Sequence, residues 1–180
     1  MKKRILLHCC CGPCSTVVIS ELSKENDVTV YYYNPNIEPY EEYIHRRCEQ
    51  IRFLSEYNSR IEFIEDDYDN LSYHNQIIDY EQLKEGSKRC YRCIDFRMDK
   101  TAKYAKENNY DYFETTLSVS PHKNSAWINE IGNKLENKYQ IKYFGGNYKI
   151  NNGYNESILL AKKYNLYRQD YCGCLMSKQK

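Results

Sequence analysis

Nine cysteines in 180 residues are grouped in a way that suits redox or metal chemistry. The stretch "HCCCGPCS", His8 to Ser15, holds four of them. Its end, Cys11-Gly12-Pro13-Cys14, has the spelling of a thioredoxin-type dithiol. Cys10 and Cys11 are poor partners for each other, because adjacent Cα atoms lie about 3.8 Å apart and a relaxed disulfide wants roughly 4.4 to 6.8 Å. Both can still offer thiolates to one metal centre, and the amides opening a following helix favour that ionised form. Cys90-Tyr91-Arg92-Cys93 is a second pair at the start of a helical pattern, where residues three apart share a face. Cys10, Cys11, Cys90 and Cys93 together make four thiolates, the number that a 4Fe-4S cluster or a structural zinc requires. Arg89, Arg92 and Arg97 would offset the charge of such a centre.

Near the other end, "RQDYCGC" separates Cys172 from Cys174 by Gly173 alone. That bite is too tight for the usual pair of zinc ligands. A Cys-Gly-Cys disulfide closes because glycine relaxes the backbone, but under strain, so it is easily reduced and suits a working redox couple. Metal ligation is the other reading. Cys48 stands alone in a helical stretch as a packing residue, and Cys9 alternates with the apolar residues of the first strand and points away from the others. His8 and His122 fall near loop ends and His45 and His74 on helix surfaces, none at ligand spacing to another. A thioredoxin-like oxidoreductase needs one CxxC and a strand opening on a cis-proline. Pro121 in "SVSPHKN" precedes a polar segment instead, which counts against that class.

These side chains must be carried by elements. Arg4 to His8 is a short apolar run, Pro13 suits a first helical turn continuing through Val17-Val18-Ile19 and Leu22, and Val28 to Tyr33 is β-branched and aromatic. Helical patterns follow at Glu41 to Tyr57, Leu71 to Leu83, Cys90 to Lys106, Ser125 to Leu135 and Tyr154 to Tyr164. Strands read at Arg60 to Glu65, Tyr112 to Thr116 and Ile141 to Phe144, with a loop at Lys84 to Arg89. The alternation predicts one α/β domain over residues 1–180, a parallel sheet with helices on both faces and a site at the carboxyl ends of the strands. The cysteine run follows the first strand, at such an end.

Composition narrows the partners. Lys and Arg total 26 against 25 Asp and Glu, so any polyanion site is a local patch. Most of the 20 tyrosines are packing residues, although a few rings could stack on bases. After Met1-Lys2-Lys3-Arg4 the apolar run ends within three residues, and no stretch reaches transmembrane length, which predicts a cytoplasmic protein with reduced thiols and no membrane partner.

"HCCCGPCS", "CYRC", "TTLSVSPHKN" and "LYRQDYCGC", in this order from Leu6 to Ser177, resemble the QueH-type epoxyqueuosine reductases. The resemblance implies a Rossmann-like fold of the adenine-nucleotide alpha-hydrolase-like (HUP-type) group. It implies an iron-sulfur oxidoreductase that removes the epoxide oxygen of epoxyqueuosine at the tRNA wobble position, in the last step of queuosine synthesis, without cobalamin. The family's 4Fe-4S ligands fall on Cys10, Cys11, Cys90 and Cys93, and its redox-active pair on Cys172 and Cys174. Cys9 is an extra cysteine where the family varies, and "NYKINNGY" is less basic than the family's stretch, though Lys149, Gly153 and Tyr154 remain.

Losing the epoxide oxygen requires two electrons, two protons and departure of water. Cys172 and Cys174 would store the electrons as a dithiol, Asp170 and Tyr171 are candidate proton donors, and Cys14 is the thiol left over for an additional iron. Arg46, Arg47, Lys123 and Arg168 are candidate tRNA phosphate partners. The expected partners are tRNA with GUN anticodons, bound through a splayed loop, and an unidentified electron donor. A zinc- or thiol-based RNA-binding protein without catalysis is the competing class. Sulfur transfer to tRNA would want an SGGxDS-type nucleotide loop after strand one, where "CCCGPCS" stands, so no ATP use is expected.

Overall fold

A computed structural model describes residues 2–149 and 152–178. Five parallel strands form one sheet in the order β3-β2-β1-β4-β5: β1 (Lys3–His8), β2 (Asn26–Tyr32), β3 (Glu62–Glu65), β4 (Tyr112–Thr115) and β5 (Lys142–Tyr143). Among the described residues, seven α-helices accompany them: α1 (Gly12–Leu22), α2 (Tyr40–Asn58), α3 (Asn70–Ile77), α4 (Lys88–Glu107), α5 (Ser125–Tyr139), α6 (Gly153–Lys163) and α7 (Leu175–Lys178). The α/β architecture read from the sequence is the one observed.

The central strand is apolar at successive positions because both of its faces are covered. Side chains alternate across it. Leu6 packs with Tyr31, Phe113, Ile94 and Met98 of α4, and Ile128 and Ile131 of α5. Ile5, Leu7 and Cys9 face the other way, into Val18 and Ile19 of α1, Phe53 of α2 and Ala161 of α6. Cys9 is thus a core residue of the opposite face, as its alternation predicts.

Boundaries shift where local chemistry overrides pattern. The helix expected from Leu71 to Leu83 starts at Asn70, because the Asp69 carboxylate accepts from the Ser72 N–H. It ends at Ile77 and tightens into a 3-10 turn at Ile78–Tyr80. Helix α4 begins at Lys88, so Cys90 and Cys93 both lie in its first two turns. A 3-10 turn at Thr116–Val119 and the short α7 were not anticipated. Among the described residues, no helix is long and apolar enough to cross a membrane.

Candidate active site

The carboxyl ends of β1 and β4 lie in register, His8 opposite Thr115. The His8 ring is fully buried, with Nδ1 3.0 Å from Thr115 Oγ1 and Nε2 3.1 Å from the Tyr33 carbonyl oxygen. Burial, then the charge of Arg97, lowers its pKa to about 3, so it is a neutral strut. The chain leaves β1 through Cys9, Cys10 and Cys11 into α1. After β4 and its 3-10 turn it reaches Pro121, His122 and Lys123 beside the same loop.

The Cys-Gly-Cys segment is clamped over this edge. Arg46, 1% exposed on α2, pairs through Nε with Glu42 Oε1 at 2.7 Å. Its Nη1 and Nη2 donate at 3.2 Å to the carbonyl oxygens of Cys172 and Tyr171, and the Tyr171 hydroxyl donates to the Glu38 carbonyl. Gly173 takes φ +135°, and a Cβ there would stand 3.1 Å from Ile37 Cγ1 and 3.2 Å from Asn36 Nδ2. Only glycine meets both conditions. The Glu38 N–H donates to the Gly173 carbonyl at 2.9 Å.

Cys90, Cys93, Cys172 and Cys174 line one small cavity together with Asn36, Arg89, Arg97 and Lys123. Cys10 and Cys14 line a second, more open recess of about 180 Å³ with Cys172, Arg168 and Asp170. Cys172 and Lys123 belong to both. Donors are aimed at the sulfurs: Lys123 Nζ at Cys172 (2.9 Å), Gln169 Nε2 at Cys11 (3.0 Å) and the Gly86 N–H at Cys90 (3.3 Å). Cys10 and Cys11 Sγ lie 4.0 Å apart.

Arg89 Nε and Nη2, Arg97 Nη2 and both side-chain polar atoms of Asn36 are buried without a hydrogen-bond partner. Buried guanidinium donors left open are costly unless an anionic group meets them. Cys90 and Cys93, which share the cavity with these donors, fit as ligands of an iron-sulfur cluster, whose sulfurs accept hydrogen bonds and whose charge needs compensation. Burial raises the Cys93 thiol to about 11 although Arg97 opposes it. The contact with Cys11, then burial, pushes Cys10 well up. These thiols therefore stay protonated until a positive centre ionises them. Among the described residues, no three His, Cys, Asp or Glu side chains are gathered at metal-binding geometry.

Comparison with known proteins decides the family. The epoxyqueuosine reductase QueH family profile matches residues 5–180. The chain is 42% identical to the epoxyqueuosine reductase QueH of Streptococcus pyogenes serotype M1, over 97% of this chain and 70% of that one. The protein of the same name from Thermotoga maritima is 36% identical over 96% of this chain and 89% of that one. This chain belongs to the epoxyqueuosine reductase QueH family. As a member it is an oxidoreductase. A solved structure described as a predicted subunit of tRNA methyltransferase from Methanocaldococcus jannaschii superposes with a TM-score of 0.54 at 13% identity, covering 89% of this chain and 74% of that one. That likeness is one of fold.

In this QueH family chain the residues singled out from sequence divide into groups. Cys10, Cys14, Lys123, Arg168, Asp170 and Cys172 meet on one recess, and Cys90, Cys93 and Cys174 lie behind it. Cys11 is beside Cys10 but buried. Arg46 requires correction: expected at the surface for phosphate, it is enclosed, and its guanidinium is spent on Glu42 and two carbonyls. Arg47 pairs with Glu65, and the tied Tyr171 hydroxyl leaves Asp170 as the exposed acid. Lys123 turns toward sulfur. His45 stacks on Tyr167 and His74 bonds Glu38 and Glu81. Sequence reasoning missed Gln169 and Asn36. Gln169 adjoins Asp170 inside a quoted motif, whereas nothing local marks Asn36.

Proposed function

We propose that the chain reduces the epoxide of epoxyqueuosine, at the wobble position of tRNAs with GUN anticodons, to the alkene of queuosine. Cys172 and Cys174 are the two-electron couple. Oxidising their dithiol to a disulfide releases two electrons and two protons. One epoxide and one dithiol then balance to one alkene, one water and one disulfide, and an outside reductant reopens the disulfide.

The observation that carries this reading is the position of Cys172, shared by the open recess and the cysteine-lined cavity with the Lys123 ammonium on its sulfur. The ammonium donates a hydrogen bond to the Cys172 sulfur at 2.9 Å. Arg46 holds the backbone on which both thiols sit. Asp170, exposed at the recess, presents carboxylate oxygens through which a proton released by the dithiol can pass to the departing oxygen. Arg168 offers its guanidinium to a phosphate at the recess edge. Cys10, Cys11, Cys90 and Cys93 would hold a 4Fe-4S cluster, which supplies single-electron transfer beside the dithiol.

Anaerobic purification followed by iron, sulfide and zinc analysis tests the cofactor. Roughly four irons and four sulfides per chain are expected, and iron beyond that would assign a metal to Cys14. Zinc without sulfide would leave an RNA-binding protein in place of the reductase. Cys172→Ser should keep its iron and lose turnover; retained turnover removes the dithiol from the scheme.

A further inference from the structure

Another opening, a groove of about 420 Å³, shares Glu85, Pro121, His122 and Lys123 with the Cys172 recess. Its size is that of a small-ligand pocket. Trp127, the single tryptophan of the chain, lines it together with Cys90, Lys149 and Glu85. The core does not need this indole: Ile128, Ile131 and Leu135 carry the buried face of α5, and Trp127 stays partly open. It is nonetheless held rigidly. Asn124 Oδ1 accepts from the Ala126 and Trp127 N–H groups at 2.9 and 3.3 Å. The Tyr91 ring meets the indole edge-on, with centroids 5.7 Å apart and planes at 79°, and Tyr91 is itself tied to Glu130 at 2.9 Å.

We propose that Trp127 and this groove form a stacking subsite for the nucleobase flanking the one that enters the recess. The proposal rests on the reading that the substrate is a base in a single-stranded tRNA loop. A base lifted from its stack leaves its neighbour exposed, and a braced aromatic ring beside a cation is the surface such a base takes. Lys149, whose Nζ donates to the Lys123 carbonyl, supplies the cation for the intervening phosphate. Glu85 lines both openings and repels phosphate, so it meets the base edge, where N–H groups can donate to it. The two adjoining openings thus take two neighbouring bases, one in each.

The test is filter binding of an anticodon stem-loop RNA to the iron-loaded protein, with and without an abasic residue on the 5′ or 3′ side of the wobble position. Trp127→Ala should weaken binding of the intact loop about 10- to 100-fold. Trp127→Phe should recover most of that loss. Removing one flanking base should weaken wild type equally and leave Trp127→Ala with nothing further to lose. Independent, additive losses, or intact-loop binding unchanged in Trp127→Ala, overturn the subsite while leaving the reductase reading standing. Wild type that fails to bind the intact loop overturns both. If Trp127→Ala does not fold, the abasic RNAs on wild type and on Trp127→Phe decide the matter: an abasic site without effect on either refutes the stacking.

Discussion

Lys123 Nζ stands 2.9 Å from Cys172 Sγ, at the junction of the open recess and the cysteine-lined cavity. Burial works against the ammonium, yet the Cys172 sulfur more than restores its charge and raises its pKa. Cys172 is half-buried at this junction, whereas Cys174 is buried.

Lys123→Met should therefore slow iodoacetamide alkylation of Cys172 near neutral pH by about 10- to 100-fold, the worth of a hydrogen bond to a charged group. Peptide mass mapping of the alkylated site reads this directly. An unchanged rate would mean that the lysine does nothing for the sulfur.

Arg46→Met separates a clamp from a phosphate contact. Removing one partner of a buried ion pair costs about 3 to 5 kcal/mol, so a marked drop in thermal stability is expected. A lost phosphate contact would instead leave stability unchanged and lower the salt slope of tRNA binding by about 1. Stability that holds while the slope falls would restore the surface role.

The sequence made the sheet legible because β1 carries the apolar run Ile5-Leu6-Leu7 and the cysteine run follows it after His8. It also made the chemical groups legible, since thiols are rare and their spacing restricts what they can do. Arg46 was misplaced because an arginine on an otherwise polar helix reads as solvated, and only the approach of residues 171 and 172, distant in sequence, encloses it. The grouping of Cys172 and Cys174 with Cys90 and Cys93 depended likewise on tertiary approach. Trp127 gave no spacing signal at all, because stacking needs a ring and a neighbour rather than a motif.

Glu114 on β4 sets a pH dependence. It is fully buried, accepts from the Thr115 and Gly146 N–H groups at 2.7 Å each, and burial raises its pKa to about 7 against those bonds. Between pH 4.5 and 7 the unfolded carboxyl ionises while the folded one keeps its proton, so the folded state binds more protons and loses stability as pH rises. Relative to Glu114→Gln, wild type should lose on the order of 3 kcal/mol across that window. Denaturant titrations at several pH values measure it, and a pH-independent difference between the two proteins would contradict the assignment.

The central claim is that this chain removes one oxygen from a tRNA nucleoside. Its most direct test is to incubate tRNA carrying epoxyqueuosine with the anaerobically purified protein and a reductant, digest the tRNA, and weigh its nucleosides by mass spectrometry. The account predicts conversion of epoxyqueuosine to a nucleoside lighter by one oxygen, absent with Cys172→Ser. Epoxyqueuosine recovered intact, with iron and sulfide in place, would contradict it.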